Sequence, residues 1–403
     1  MPTAPAVPPA PGHAELGELA AGIDGELVAL RRTLHRHPEL AGQERRTAAL
    51  VAGRLRAAGL TVTTGVGGHG VVAVLDRAGE GPTVAYRADM DAVPADEEPA
   101  EGFSSRVPGA AHLCGHDLHV AIGVGIARVL ARVRERLGGR VVFVFQPAEE
   151  TLAGARAMIE DGVLDRTRPR EIHALHCGPL PVGAFAVMPG FGHPGLDRFT
   201  IDVPGPGAEA GGRRLRAMVD GLSTTTPPRT PEDRARLVED LTTPDGPLAR
   251  FVLAGSSLAP APGGVRVSAW LRAWPDSRYS GIRDAVRRAV ESAPGARVTF
   301  AGEPFPSMVC SPELSEAAAA HLREAYGPDA VTVLHASFPF AGEDFGLFLR
   351  RVPGAMYFLG VADPASGVNG APHAPDFVAD ERAIRVGVQA MAGFLSSRLA
   401  AQP

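Results

Sequence analysis

Eight consecutive residues, His112-Leu113-Cys114-Gly115-His116-Asp117-Leu118-His119, hold a thiol, three imidazoles and a carboxyl group. Sulfur, nitrogen and oxygen donors in one stretch suit a divalent transition metal. The octet lies in a turn just before a helical pattern, where the backbone can aim several side chains at one point. Read alone, it equally describes a buried or reactive cysteine beside surface histidines. A second feature is Gln146-Pro147-Ala148-Glu149-Glu150, directly after the apolar run 141–145. In open α/β sheets, ligands bind beyond the carboxyl ends of strands. Two adjacent carboxylates there can divide the work, one ligating a metal and the other moving protons. A solvated acidic helix start has the same appearance. His176 ends the strand-like run 172–175, and His373 lies in the turn-rich Asn369-Gly370-Ala371-Pro372-His373-Ala374-Pro375. A single histidine at either place is ordinarily structural. As a set, however, Cys114, His116, Glu150, His176 and His373 could supply a two-metal site. His173, three residues before His176, points to the opposite face of its strand.

Positioning these residues requires strands alternating with helices. Helical periodicity covers 16–34, 45–58, 119–137 and 153–161, with β-like runs at 71–75, 83–86, 141–145 and 172–175. The run 141–145 is continuously apolar, as expected of a strand buried on both faces. The pattern implies an α/β layer structure with a largely parallel sheet. Composition shifts after about residue 195. Gly/Pro-rich and Pro-broken stretches surround two helical patterns and one alternating strand at 265–271, which reads as a small α+β unit. The α/β pattern resumes near 313. The expected organisation is a disordered tail over 1–14, a discontinuous domain over 15–195 and 310–403, and an inserted domain over 196–309.

The chain has 403 residues, 45% of them hydrophobic and 21% charged, enough to bury a sizeable core. A net charge of −5 gives no nucleic-acid or polybasic membrane signature. The 40 cationic residues are all arginine, so chemistry that needs a lysine is excluded, a P-loop or a Schiff base included. Three cysteines are too few for a disulfide framework. No apolar stretch is long enough to span a bilayer, and the first twelve residues do not read as a signal peptide. A cytoplasmic protein is expected.

Further stretches carry a resemblance. They are LRRTLHRHPEL (30–40) with Glu44 and Thr47, YRADMDAVP (86–94), HLCGHDLHVA (112–121) and FQPAEE (145–150). ALHCGPLPVG (174–183), AGEDFGLFL (341–349), PGAMYFLG (353–360) and NGAPHAPDF (369–377) complete the set. In this order the chain resembles the M20 metallopeptidase superfamily, within it the amidohydrolase branch of hippurate and auxin-conjugate hydrolases. The resemblance implies a zinc-peptidase-like catalytic domain with a mixed, largely parallel sheet and an inserted α+β lid, which in relatives also builds the dimer. It implies a two-metal centre held by Cys114, His116, Glu150, His176 and His373, filled by zinc or manganese, with cobalt or nickel as alternatives. Glu149 matches the general base that takes the proton of a metal-activated water. Asp89, Asp91 and Asp117 would orient ligands or balance charge from a second layer. His119 reads equally as such a residue or as helix packing. The implied substrate is a small-molecule amide such as an N-acyl amino acid. No nucleic-acid or membrane partner is implied.

The inserted domain departs from the family. Where relatives carry a Gly-rich segment ending in an oxyanion-stabilising histidine, this chain reads GPGAEAGG (205–212). Glu209 stands near the histidine position, and a carboxylate there would repel an oxyanion. The asparagine of an NVIPD-like segment is also missing, because the chain's single asparagine is Asn369. Arg272 matches either a lid arginine that binds a substrate carboxylate or a solvated strand end. His193, a candidate substitute donor, reads as a surface residue. Two other functions remain open. One is the same metal site serving acyl transfer or a specialised biosynthetic step, and the other is a non-catalytic binding protein on a peptidase fold. A Cys114 nucleophile is a weaker alternative.

Overall fold

The computed structural model describes residues 10–77, 81–98 and 102–400. Its strands in chain order begin with β1 (Thr61–Val66), β2 (Gly70–Leu75), β3 (Thr83–Asp89), β4 (Arg140–Gln146), β5 (Glu171–Pro181) and β6 (Phe185–Val187). They continue with β7 (Asp197–Pro204), β8 (Phe251–Ala261), β9 (Gly264–Trp274), β10 (Arg297–Phe300), β11 (Val331–Val333) and β12 (Gly354–Ala362). The first four helices are α1 (His13–Ala21), α2 (Asp24–Arg36), α3 (Arg45–Ala57) and α4 (His116–Arg132).

The chain divides into two compact units. The first comprises 1–189, 310–333 and 347–403; the second comprises 190–309 and 334–346. The first unit holds an eight-stranded sheet in the order β1-β2-β4-β3-β5-β12-β6-β11. β3 runs parallel to β4 and β5, as do β12 to β5 and β11 to β6, whereas β1–β2, β2–β4 and β12–β6 are antiparallel. The sheet is therefore mixed. Val141 to Gln146 of β4 are all buried, which is why that run is apolar without alternation. α4 is almost wholly buried, so its sequence is apolar all round apart from the groups the site uses and Arg128 and Arg132 toward its end.

The second unit is an antiparallel sheet ordered β10-β7-β9-β8. Ile201 of β7 and Val267 and Leu271 of β9 form its core with Leu215 and Val219 of the helix Ala208–Asp220 and Val286 of the helix Arg278–Glu291. Gly211 and Gly212 disguise the first of these helices in the sequence, yet the packing requires small residues there. A Cβ on Gly212 would lie 2.6 Å from Val265 Cγ2. β8 is similarly unannounced, because its end runs into the Pro262-Gly263 turn, with Gly263 at φ 74°.

The boundaries differ from the expected ones. The second unit begins at Gly190 rather than 196 and recovers Leu334–Gly346 from the segment assigned to the catalytic domain. Hydrogen bonds tie that segment in. His335 N–H donates to the Leu241 carbonyl at 2.7 Å and Phe338 N–H to the Gly192 carbonyl at 3.1 Å, while Ala336 packs with Phe251 and Trp274. Of the expected tail, residues 1–9 lie outside the described residues, and His13 and Ala14 already belong to α1.

Candidate metal centre

Parallel strand ends and one helix start build the site in the first unit. Asp89 at the end of β3 lies opposite Gln146 at the end of β4. On the other side Arg87 pairs with Ala174 of β5, so His176, two residues on, emerges level with Asp89. α4 begins at His116 after Gly115, which is left-handed at φ 84°. A Cβ on Gly115 would lie 2.3 Å from Cys177 Sγ, so glycine alone permits the turn. That turn sets Cys114 Sγ 3.6 Å from His176 Nε2. The chain's one asparagine shapes the loop carrying His373. Asn369 Nδ2 donates to the Asp376 carbonyl at 2.7 Å, and its Oδ1 accepts from Ala371 N–H at 3.0 Å. His373 N–H then donates to the Leu113 carbonyl at 2.7 Å, joining this loop to the octet.

All five expected ligands and Glu149 meet. His116 Nε2 lies 3.8 Å from Glu150 Oε1 and 4.0 Å from Glu149 Oε2. His373 Nε2 lies 3.6 Å from Glu150 Oε1. Donor atoms of Cys114, His116 and His176 fall within 4.8 Å of one another, as do those of Cys114, Glu150 and His373, and those of His116, Glu149 and Glu150. These overlapping groups support a centre of two metal ions.

Three observations test whether the residues fit such ions. First, His116 Nε2 and Glu150 Oε1 are buried with no hydrogen-bond partner among the described residues, a costly state that a bound cation relieves. Second, His116 Nδ1 faces the Asp91 carbonyl at 2.9 Å and His176 Nδ1 the Cys177 carbonyl at 2.7 Å. A carbonyl only accepts, so each Nδ1 donates and each Nε2 is left for a ligand. Third, burial opposes charge on His116, but Asp89, then Asp91 and Glu150, outweigh it and push the imidazole up to about 10. The cluster thus demands positive charge at that point. Burial, followed by Glu150, pushes the Cys114 thiol up, which makes it a poor nucleophile on its own.

Two of the three expected aspartates, Asp89 and Asp91, stand behind the ligands. Asp89 accepts from His119 Nδ1 at 2.6 Å and from the buried Arg87 at 2.7 Å. Asp91 Oδ2 accepts Glu150 N–H at 2.9 Å. His119, left open by the sequence, bridges Asp89 to the β5 strand end, because its Nε2 accepts Cys177 N–H at 2.9 Å. Arg87 escaped notice altogether, although its place two residues before Asp89 puts both on one face of β3. His173 stays out of the centre; it pairs with Tyr357 Oη at 2.9 Å and Glu171 at 3.3 Å.

Asp117 is turned away, into a buried ionic group. Its Oδ2 lies 2.8 Å from both Arg31 Nε and His35 Nδ1, while His35 Nε2 meets Glu97 at 2.9 Å. Burial disfavours an imidazolium, but Asp117 and then Glu97 outweigh it and push His35 up to about 9. An unfolded histidine titrates near 6.5, so this stabilisation is complete below about pH 6.5 and is lost as pH rises through 9. It amounts to roughly 3 kcal/mol at most. Thermal unfolding between pH 6.5 and 9.5 should show a falling Tm in the parent and a flatter profile in His35→Gln. Equal slopes in both proteins would exclude the ion group as the cause.

In the second unit Arg272 is half-buried on β9, and its guanidinium packs on Gly342, where a Cβ would lie 2.5 Å from Nη1. His193 is not the surface residue expected. It is 7% exposed beside Phe338, and burial, then Arg272, push it down to about 4, against a hydrogen bond with the Ala341 backbone. The Gly/Pro turn hides this, because the Met308 N–H donates to the His193 carbonyl and the Phe338 N–H to the preceding Gly192 carbonyl, enclosing the residue. Glu209 lies on the exposed first turn of its helix, paired with Arg213.

The sequence profile of peptidase family M20/M25/M40 matches residues 85–397. The chain is 34% identical to the Synechocystis sp. probable hydrolase over 390 residues, covering 93% of this chain and 96% of the relative. It is 32% identical to the Bacillus subtilis N-acetylcysteine deacetylase, covering 90% and 94%. Among solved structures, a Bacillus subtilis dinuclear metal-binding peptidase of the M20 family superposes with a TM-score of 0.76. It shares 26% identity and covers 95% of this chain and 100% of that one.

Proposed function

The chain belongs to peptidase family M20/M25/M40 and is a hydrolase, and on that premise we propose that it cleaves the amide bond of an N-acyl amino acid or a related small amide. The observation that carries this reading is Glu149 standing among a complete Cys/His/Glu donor set. The N-acetylcysteine deacetylase relative supports the substrate class.

Cys114, His116, Glu150, His176 and His373 would hold two divalent ions, zinc or manganese, with cobalt or nickel as alternatives. When bound, such ions supply Lewis acidity toward water and the amide carbonyl. The rest is done by the chain. Asp91 and the Cys177 carbonyl fix the ligand tautomers and the Glu150 backbone. Glu149 Oε2 accepts the proton of the attacking water and returns it to the departing nitrogen. We place the protein in the cytoplasm, consistent with three buried free cysteines. Its expected partner is a small-molecule amide rather than nucleic acid or membrane, and a second copy is expected to pair through the second unit.

The divergent segment 205–212 of the inserted domain motivates a second reading, in which the same centre transfers the acyl group to an amine. The metal-replete protein is to be tested with N-acetyl and N-benzoyl amino acids, with and without an added amine. Release of free amino acid and carboxylate is expected. A new amide would support transfer, and no turnover across the panel would overturn both readings.

A further inference from the structure

We propose that Glu44 is a positioning residue for Glu149, holding the backbone turn that aims the proton-carrying carboxylate; this rests on the role given to Glu149 above. The turn needs a holder. Ala148 sits at φ 54° and Leu152 at φ 57°, a left-handed backbone that residues with a Cβ rarely adopt. Such strain persists only where surrounding contacts over-determine it.

Glu44 supplies that contact from a distant part of the chain. It is wholly buried, and its Oε1 accepts Ala148 N–H at 2.9 Å and Gly42 N–H at 2.8 Å. One oxygen therefore joins the turn before α3 to the residue directly preceding Glu149. The turn before α3 is itself anchored. Glu39 accepts the N–H groups of Arg46 at 3.0 Å and Thr47 at 2.8 Å, and the Glu39 carbonyl accepts Ala92 N–H at 2.9 Å, beyond the end of β3. The conjunction of Pro-Glu-Leu (38–40) with Glu44 thus becomes a bracket. One side grips the β3 end and the other grips the Glu149 turn.

The bracket divides labour with Asp91. Asp91 Oδ2 holds Glu150 N–H at 2.9 Å, and Glu44 holds Ala148 N–H, so Glu149 lies between two clamped backbone amides. Within the turn, the Ala148 carbonyl accepts from Gly154 N–H at 3.1 Å and the Glu149 carbonyl from Leu152 N–H at 2.7 Å. A Cβ on Gly154 would lie 1.6 Å from the Pro147 carbonyl oxygen, so the turn has no room to relax inward. Loosening the Ala148 end leaves rotation of the Glu149 carboxylate as the available response. Misplacing a reacting group by about 1 Å costs on the order of 10² in rate.

Three variants are compared for kcat, KM, metal per chain and Tm. Glu44→Asp draws the acceptor back by one methylene while keeping charge. Its kcat should fall ten- to a hundredfold with KM and two metals per chain unchanged. Glu44→Gln keeps the side-chain length and an acceptor oxygen for the Gly42 and Ala148 N–H groups while removing the charge. It should stay within threefold of the parent. Glu149→Gln is the control for the underlying reading. If Glu149→Gln is inactive but Glu44→Asp matches the parent, or loses metal in step with rate, or Glu44→Gln is as slow as Glu44→Asp, the proposal on Glu44 is overturned alone. If Glu149→Gln keeps parental activity, the role of Glu149 falls first and the proposal falls with it.

Discussion

Glu149→Gln is expected to lower amide turnover by about 10²–10⁴ while leaving both metals bound. The substitution is isosteric and removes only the capacity to take a proton. Glu149 is 5% exposed, so water cannot easily replace it as the proton carrier. Its Oε2 lies 4.0 Å from His116 Nε2, the correct neighbourhood for a group that serves a ligand cluster without completing it. Glu150→Gln should behave differently. Glu150 Oε1 lies near both His116 and His373, so its loss should reduce metal content as well as rate. Rate and bound metal measured on the same preparations separate the two carboxylates. A Glu149→Gln protein within tenfold of the parent, with two metals per chain, would remove Glu149 from the proton pathway.

The ligand set was legible because its residues carry chemistry that few other arrangements need. Cys114, His116 and His119 are concentrated beside one helix start, and the apolar β4 announces a strand whose end must present Glu149 and Glu150. The supporting shell was harder to see. Arg87 and His35 become informative only when Asp89 and Asp117 are found buried against them: strand alternation puts Arg87 and Asp89 on one face without revealing that they pair, and His35 meets Asp117 across 82 residues of chain. The second unit hid more. A glycine pair conceals the helix Ala208–Asp220, because close approach to Val265 and Leu258 selects small residues over apolar ones. Leu334–Gly346 reads as part of the α/β pattern, yet its backbone hydrogen bonds go to Leu241 and Gly192. Membership of a unit is decided by such non-local bonds, and composition does not register them. The absence of asparagine from the inserted domain remains informative, while Asn369 turns out to fold the His373 loop.

Removing metal by chelation should abolish turnover and lower Tm, and adding back zinc or manganese should restore both. Asp89, Asp91, Glu149 and Glu150 concentrate acidic groups around His116 and His176, most of them shut away from water. Mutual repulsion there is screened poorly in a low-dielectric interior. Nor can protein hydrogen bonds satisfy the inward atoms, since His116 Nε2 and Glu150 Oε1 lack partners among the described residues. A ligand that binds only the folded state stabilises by about 2.7 kcal/mol at a concentration 100 times its dissociation constant. Tm should therefore climb with free metal concentration, and the increment should shrink in His176→Ala, which removes one donor from the Cys114–His116 group. His373 is exposed and sits on a loop, so His373→Ala should weaken metal binding with a smaller loss of Tm. Full turnover by protein holding less than about a tenth of a metal ion per chain would show that the cluster's chemistry needs no cation, contrary to its donor geometry.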